Sequence, residues 1–169
     1  MGKTTEEYKE IICLNYKEIY RFALYLTDDS TAAEDLTQEI FMSAWANADT
    51  YKAESSIKTW LHRIAYHKFI DSKRKIKRYD AFLDKYEENK IRTSSNDFDP
   101  LQKITADEDS RDLYEAMHKL NETDYLCILL HYIQELSFRE IARILNRPAG
   151  TVKWQVNRAI KRLRNCFSD

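Results

Sequence analysis

Two glycines among 169 residues leave this chain few ways to fold. They are Gly2 and Gly150, and the only prolines are Pro100 and Pro148. A sheet protein needs Gly, Asn-Gly or Asp-Gly turns at short intervals, so the sequence predicts an all-α fold with few tight turns. The same scarcity excludes glycine-rich phosphate loops and dinucleotide-binding fingerprints, whose backbones cannot be built without glycine.

Helical periodicity fills most of the chain. Residues 5–26 place Ile11, Ile12, Ile19, Phe22, Ala23 and Leu26 at helical spacing. Turn chemistry follows at Thr27-Asp28-Asp29-Ser30, with Ser30 as the expected cap of a second helix over 31–48. Its inward stripe is Ala33, Leu36, Ile40, Phe41, Ala44 and Trp45, leaving Asp35, Gln38, Glu39 and Met42 on another face. Residues 49–56 are polar and break the pattern. A third helix over 55–78 buries Ile57, Trp60, Leu61, Ile64, Ala65 and Phe69. These three helices make one domain, 1–78.

Residues 79–106 read as a flexible, exposed linker, marked by Ser94-Ser95-Asn96-Asp97 and Asp99-Pro100, with Leu83 and Tyr86 offering a short helix within it. A second domain, 107–169, opens with Leu113, Met117 and Leu120 at helical spacing. A stop and restart follows at Asn121-Glu122-Thr123-Asp124, and then a strongly apolar helix over 123–134. Ser137-Phe138-Arg139-Glu140 is a capping box that opens a short helix. The chain breaks at Asn146-Arg147-Pro148-Ala149-Gly150-Thr151 and restarts with Val152, Val156, Ala159, Ile160 and Leu163 inward. Lys153, Arg158, Lys161, Arg162 and Arg164 then face outward. A short helix, a tight turn and a basic second helix spell a helix-turn-helix.

Net charge is −1, but its distribution is uneven. Residues 58–79 hold eight Lys/Arg against Asp71 alone, and residues 138–164 hold eight against Glu140 alone. Everything else carries 11 basic and 26 acidic residues. Two basic segments in an acidic chain suit two phosphate-facing surfaces with a remainder that limits non-specific binding. Two solvated helix faces would have the same composition.

Three cysteines, Cys13, Cys127 and Cys166, lie far apart without metal-ligand spacing, as reduced intracellular thiols do. Cys13 and Cys127 sit in apolar stretches and are expected in the core. His62, His67, His118 and His131 form no metal or catalytic arrangement, so no metal, no cofactor and no enzyme activity are expected. No apolar run approaches the roughly 20 residues of a membrane span, and no signal-peptide pattern opens the chain. A cytoplasmic protein without membrane insertion is the expectation.

Three ordered motifs resemble the extracytoplasmic-function group of bacterial sigma factors. Ala33-Glu34-Asp35-Leu36-Thr37-Gln38-Glu39-Ile40-Phe41 with Ala44-Trp45 is similar to the helix of region 2.2 in that family. Ser55-Ser56-Ile57-Lys58-Thr59-Trp60-Leu61-His62-Arg63-Ile64-Ala65, running on to Ile70-Asp71, resembles its promoter-melting segment. Leu136-Ser137-Phe138-Arg139-Glu140-Ile141-Ala142 and Pro148-Ala149-Gly150-Thr151-Val152-Lys153 resemble its region 4 helix-turn-helix. A lone helix-turn-helix is shared by many regulators; three motifs in this order cover nearly the whole chain.

The resemblance implies a non-enzymatic specificity subunit whose partners are core RNA polymerase, promoter DNA (duplex and melted single strand) and an anti-sigma factor, with no obligate homo-oligomer. Asp35, Gln38 and Glu39 match the family's polymerase-contact positions. Lys58, Arg63, His67, Lys68, Lys73 and Arg74 would face the downstream (−10) promoter element, and the loop over 49–56 would read its flipped base. His67 stands where the family carries an Asn, so the family's base preference does not carry over directly, although His can donate, accept or stack. Lys153, Trp154 and Arg158, with Gln155 nearby, would read the upstream (−35) element, and Arg162 and Arg164 would hold phosphate or stand as solvated surface. Trp154 replaces a small polar residue of many relatives, and either thymine methyls and sugar or the domain itself could receive it. Two rivals stand beside this reading. A stand-alone helix-turn-helix regulator predicts tight duplex binding by the isolated chain, and a helical interaction module predicts no salt-dependent DNA affinity.

Overall fold

The computed structural model describes residues 5–51, 54–83 and 108–167. All regular elements among the described residues are helical, in agreement with the all-α expectation. The chain divides into two compact units, one of residues 1–51 and 64–99 and the other of residues 52–63 and 100–169.

The first unit contains α1 (Thr5–Leu14), α2 (Tyr16–Thr27), α3 (Ser30–Ala46), a single 3₁₀ turn (Ala48–Thr50) and most of α4 (Ile57–Leu83). The first helical segment is two helices rather than one. Asn15 interrupts it, with its side-chain amide donating to Ile11 O at 2.8 Å and its backbone N–H reaching Ile12 O at 3.1 Å. That local bond competes with the helical ladder, which is why Asn favours helix ends. Cys13, beside the break, is exposed rather than core.

Asp29 caps α3, not Ser30: its carboxylate accepts from the Ala32 N–H at 2.7 Å, and Ser30 is already helical. The preceding turn is closed by Asp28 in the left-handed region, φ 54°. Ile12, Ile19, Phe22, Ala23, Ala33, Ile40 and Ala44 form the core, each burial of a large apolar side chain contributing about 1.5–3 kcal/mol. Trp45, expected inward, is exposed, and α3 stops at Ala46. α4 continues to Leu83, past the expected linker start at 79, while Tyr86 lies outside the described residues.

The second unit holds the first turns of α4 with α5 (Glu108–His118), α6 (Glu122–Ile128), a π turn (Leu129–Ile133), α7 (Phe138–Leu145) and α8 (Ala149–Cys166). Asn121 caps α6, and the expected capping box of Ser137 and Glu140 opens α7 with both of its reciprocal bonds. Leu126, Leu129, Leu130, Ile141, Ile144, Val152, Val156 and Ala159 make the core, whereas Leu113, expected inward, is exposed. The turn between α7 and α8 is shorter than the sequence suggests. α8 begins at Ala149, so Gly150 is helical, and the left-handed residue is Asn146, φ 51°. Asn tolerates that conformation through local hydrogen bonding, so the helix-turn-helix turns without glycine.

Candidate nucleic-acid interface

On α3 Ala33, Leu36, Ile40, Phe41 and Ala44 turn inward, whereas Trp45 joins Asp35, Gln38, Glu39 and Met42 among the exposed residues. The sequence thus separates the two faces except at Trp45. Asp35 and Glu39 line a groove together with Leu36, Phe69, Lys73 and Ile76, all within the first unit. Glu39 pairs with Lys68 at 3.9 Å, with both side chains more than a third exposed, a pair of little stabilising value.

The proposed downstream-element residues of α4 fall into different surroundings. Arg63, His67, Lys73 and Arg74 are exposed, and Lys58 and Lys68 are half-buried. Arg63, His67 and Arg74 recur at helical spacing along one side. Lys73 lies over the Phe69 ring at 5.0 Å, and Arg74 meets Asp71 at 3.6 Å with both side chains above 70 % exposed. In the loop over 49–56, Asp49 is exposed and residues 52 and 53 lie outside the described residues.

The start of α4 belongs to the second unit and is held there by side chains. Thr59 Oγ1 donates to Glu140 Oε1 at 2.8 Å, and Arg143 Nη1 donates to Glu54 O at 3.1 Å. His62 is fully buried, its ring nitrogens 2.8 Å from Lys58 O and 3.1 Å from Gln134 Oε1. Trp60, two residues earlier, is half-buried. The hydroxyls of Ser137, Thr59 and Ser56 and the Ser137 N–H hold the Glu140 carboxyl below its usual range, the Ser137 hydroxyl most strongly.

α8 sorts the upstream-element candidates sharply. Lys153 and Trp154 project from its first turns, and Trp154 is 57 % exposed, so it does not pack into the domain. Gln155 points the other way: it is buried on the stripe of Val152, Val156 and Ala159, accepting from Cys127 Sγ at 3.5 Å. Its spacing to Val152 and Ala159 was the available signal. Burial pushes the Cys127 thiol up to about 11.

Arg158 and Arg162 converge on Asp124 of α6, whose local sequence signals only a helix restart. Asp124 is fully buried. Its Oδ2 accepts from Arg158 Nε, Arg162 Nη1 and Asn121 Nδ2 at 3.0, 3.0 and 2.9 Å, and Oδ1 accepts from Arg158 Nη2 at 2.5 Å. This carboxylate holds the Arg158 guanidinium above its usual range. Arg158 also stacks on Trp154, its Cζ 4.3 Å from the ring centroid. Arg158 and Arg162 lie 34 and 38 residues from Asp124 in sequence, and no local pattern joins them. Among the described residues no group of three potential metal ligands occurs, and no helix is long and apolar enough to cross a membrane.

Comparison with known proteins matches both parts of this arrangement. Residues 12–79 match sigma-70 region 2, and residues 110–163 match sigma-70 region 4. The chain is 32 % identical to the ECF RNA polymerase sigma factor SigW of Bacillus subtilis, covering 97 % of this chain and 90 % of that one. It is 28 % identical to SigM of the same organism, covering 94 % of each. Among solved structures it is similar to the sigma factor RpoE of Bartonella quintana, crystallised with the anti-sigma factor NepR. That match has TM-score 0.75 and 27 % identity, over 96 % of this chain and 97 % of that one. CnrH, solved with the cytosolic domain of CnrY, shares the fold at TM-score 0.68 and 18 % identity, over 97 % of this chain and 89 % of that one.

Proposed function

This chain belongs to the extracytoplasmic-function group of sigma-70 factors, and from that premise we propose how its surfaces direct promoter-specific initiation by a bacterial RNA polymerase. The exposed Asp35, Gln38 and Glu39 of α3 dock on a basic helical surface of core polymerase. α4 tracks the melted downstream element, with Arg63, His67 and Arg74 outermost and Lys58, Lys68 and Lys73 adding positive potential. The segment over 49–56 receives the unstacked base. α8 enters the major groove of the upstream element, led by Lys153 and Trp154, and Arg162 adds positive charge near the backbone. The role is non-enzymatic, since the polymerase performs the chemistry, and its site is the cytoplasm.

The observation that carries this reading is the coexistence in one chain of an exposed acidic helix face within the region 2 match and a projecting Lys153–Trp154 edge within the region 4 match. A stand-alone regulator has no use for the first. The test is gel-filtration co-elution with core polymerase, comparing wild type with Asp35→Lys/Gln38→Ala/Glu39→Lys. Stoichiometric co-elution that disappears in the folded variant is expected. Failure of the folded, inhibitor-free wild type to bind would overturn the reading in favour of a stand-alone regulator.

RpoE of Bartonella quintana was crystallised with an anti-sigma factor, and the same kind of control is proposed here. A protein that co-purifies one-to-one from the native host and blocks polymerase binding is expected. A chain that always purifies there without such an inhibitor would sink the idea.

A further inference from the structure

Arg158 looks like a base-reading residue by position, but the Nε side of its guanidinium is already taken. Reading guanine requires a guanidinium fork aimed at O6 and N7. In Arg158 the Nε–Nη2 edge is closed on the buried Asp124 carboxylate, through bonds of 3.0 and 2.5 Å. The same guanidinium plane covers one face of Trp154, one helical turn back on α8. The result is a chain of contacts from the core to the surface: Asp124 fixes Arg158, and Arg158 fixes the indole. Trp154 is thereby held as a preordered apolar plate, more than half exposed, beside the exposed Lys153 in the N-terminal half of α8.

An indole has no acceptor and a single N–H donor, so most of what it offers a major groove is apolar surface. The one apolar group on a base-pair edge there is the thymine C5-methyl. We propose that Trp154 is a specificity residue that reads a thymine methyl in the upstream promoter element, and that Asp124 and Arg158 are its positioning residues. This rests on the assignment of α8 to that element. Order matters because a ring already locked in place loses little side-chain freedom on binding. An unbraced tryptophan would contact many steps weakly.

The test uses holoenzyme assembled from core polymerase and the full chain. Duplexes are first selected from a randomised library, and each thymine in the selected upstream element is then replaced by deoxyuridine, which removes only the methyl. At one or two positions wild-type holoenzyme should bind the deoxyuridine duplex roughly three- to tenfold more weakly. Trp154→Ala should bind both duplexes equally, and Trp154→Phe, which keeps the plate and loses the N–H, should retain the preference. Arg158→Lys keeps the charge but loses the fork and the stacking. It should shrink the preference without changing the salt dependence of binding, and Asp124→Asn should act in the same direction if it folds by circular dichroism.

Equal deoxyuridine effects in wild type and Trp154→Ala would overturn the proposal. So would a Trp154 contribution that vanishes on 7-deazapurine duplexes, since the N–H would then be donating to a purine N7. Selection of no upstream sequence at all would instead overturn the assignment of α8 itself, and the proposal with it.

Discussion

Segments 58–79 and 138–164 carry the same charge inventory, eight cations against one acid, but the fold treats their arginines in opposite ways. On α4, Arg74 meets Asp71 in water, with both side chains above 70 % exposed. On α8, Arg158 and Arg162 meet an acid imported from another helix, Asp124, which is wholly buried and saturated by four donors. A surface pair contributes little and leaves its cation available to phosphate. A buried carboxylate must be paired, so it holds its cations in place and turns them into structure. Equal charge counts along a sequence therefore describe one segment whose acid sits at the surface and another in which two of the eight cations are tied to a buried acid and fix geometry.

The largest test of this contrast is stability. Asp124→Ala should cost the second unit about 3 kcal/mol, moderated by the partial exposure of its two arginines. Asp71→Ala should shift stability by less than about 0.5 kcal/mol. Urea unfolding of the two variants side by side reads both numbers, and similar costs would erase the distinction between the helices.

Salt dependence sharpens it next. Arg74→Ala should lower the slope of log affinity against log salt, for holoenzyme on promoter DNA, by roughly one unit. Arg158→Ala should leave that slope nearly unchanged, because its guanidinium is bonded to Asp124 rather than aimed at phosphate. A full unit lost at Arg158 would mean that the Asp124 pair opens on DNA.

The smallest expected effect concerns pH. Glu140 has its carboxyl held below the usual range by the Ser137, Thr59 and Ser56 hydroxyls. A depressed carboxyl contributes stability that is complete above its unfolded value, about 4.3, and is lost as pH falls through the lower folded value. Wild type should therefore lose stability on acidification below that point, and Glu140→Gln should flatten that limb while costing about 1 kcal/mol at neutral pH through its cap. An acid limb unchanged in Glu140→Gln would assign the loss to other carboxyls.

Much of the fold was legible because it is written locally. Helical periodicity, the Ser137–Glu140 box and the two faces of α3 need no long-range information. The misplacements have equally local causes. Asn15 bonds its own backbone and splits a helix that periodicity alone runs through. Asp29 rather than Ser30 wins the cap because its carboxylate reaches the Ala32 N–H. Gln155 is placed beside the upstream-element contacts by resemblance, although it lies on the buried stripe of Val152 and Ala159. What sequence could not supply was the partner of Arg158. Asp124 reads locally as a residue near a helix start, and only the packing of α6 against α8 turns it into an anchor. The candidate surfaces were thus visible in outline, while the division between cations that reach outward and cations held inside was not.

The three cysteines divide along similar lines. Cys13 in the first unit and Cys166 in the second are exposed, whereas Cys127 is buried with its thiol pushed up to about 11. A thiolate is the reactive form, so near neutral pH a maleimide dye should label the outer two and pass over the third. The native chain thus carries a built-in pair of attachment points, one on each unit. Energy transfer between them can follow the spacing of the two units as polymerase, promoter and inhibitor are added, without a single substitution.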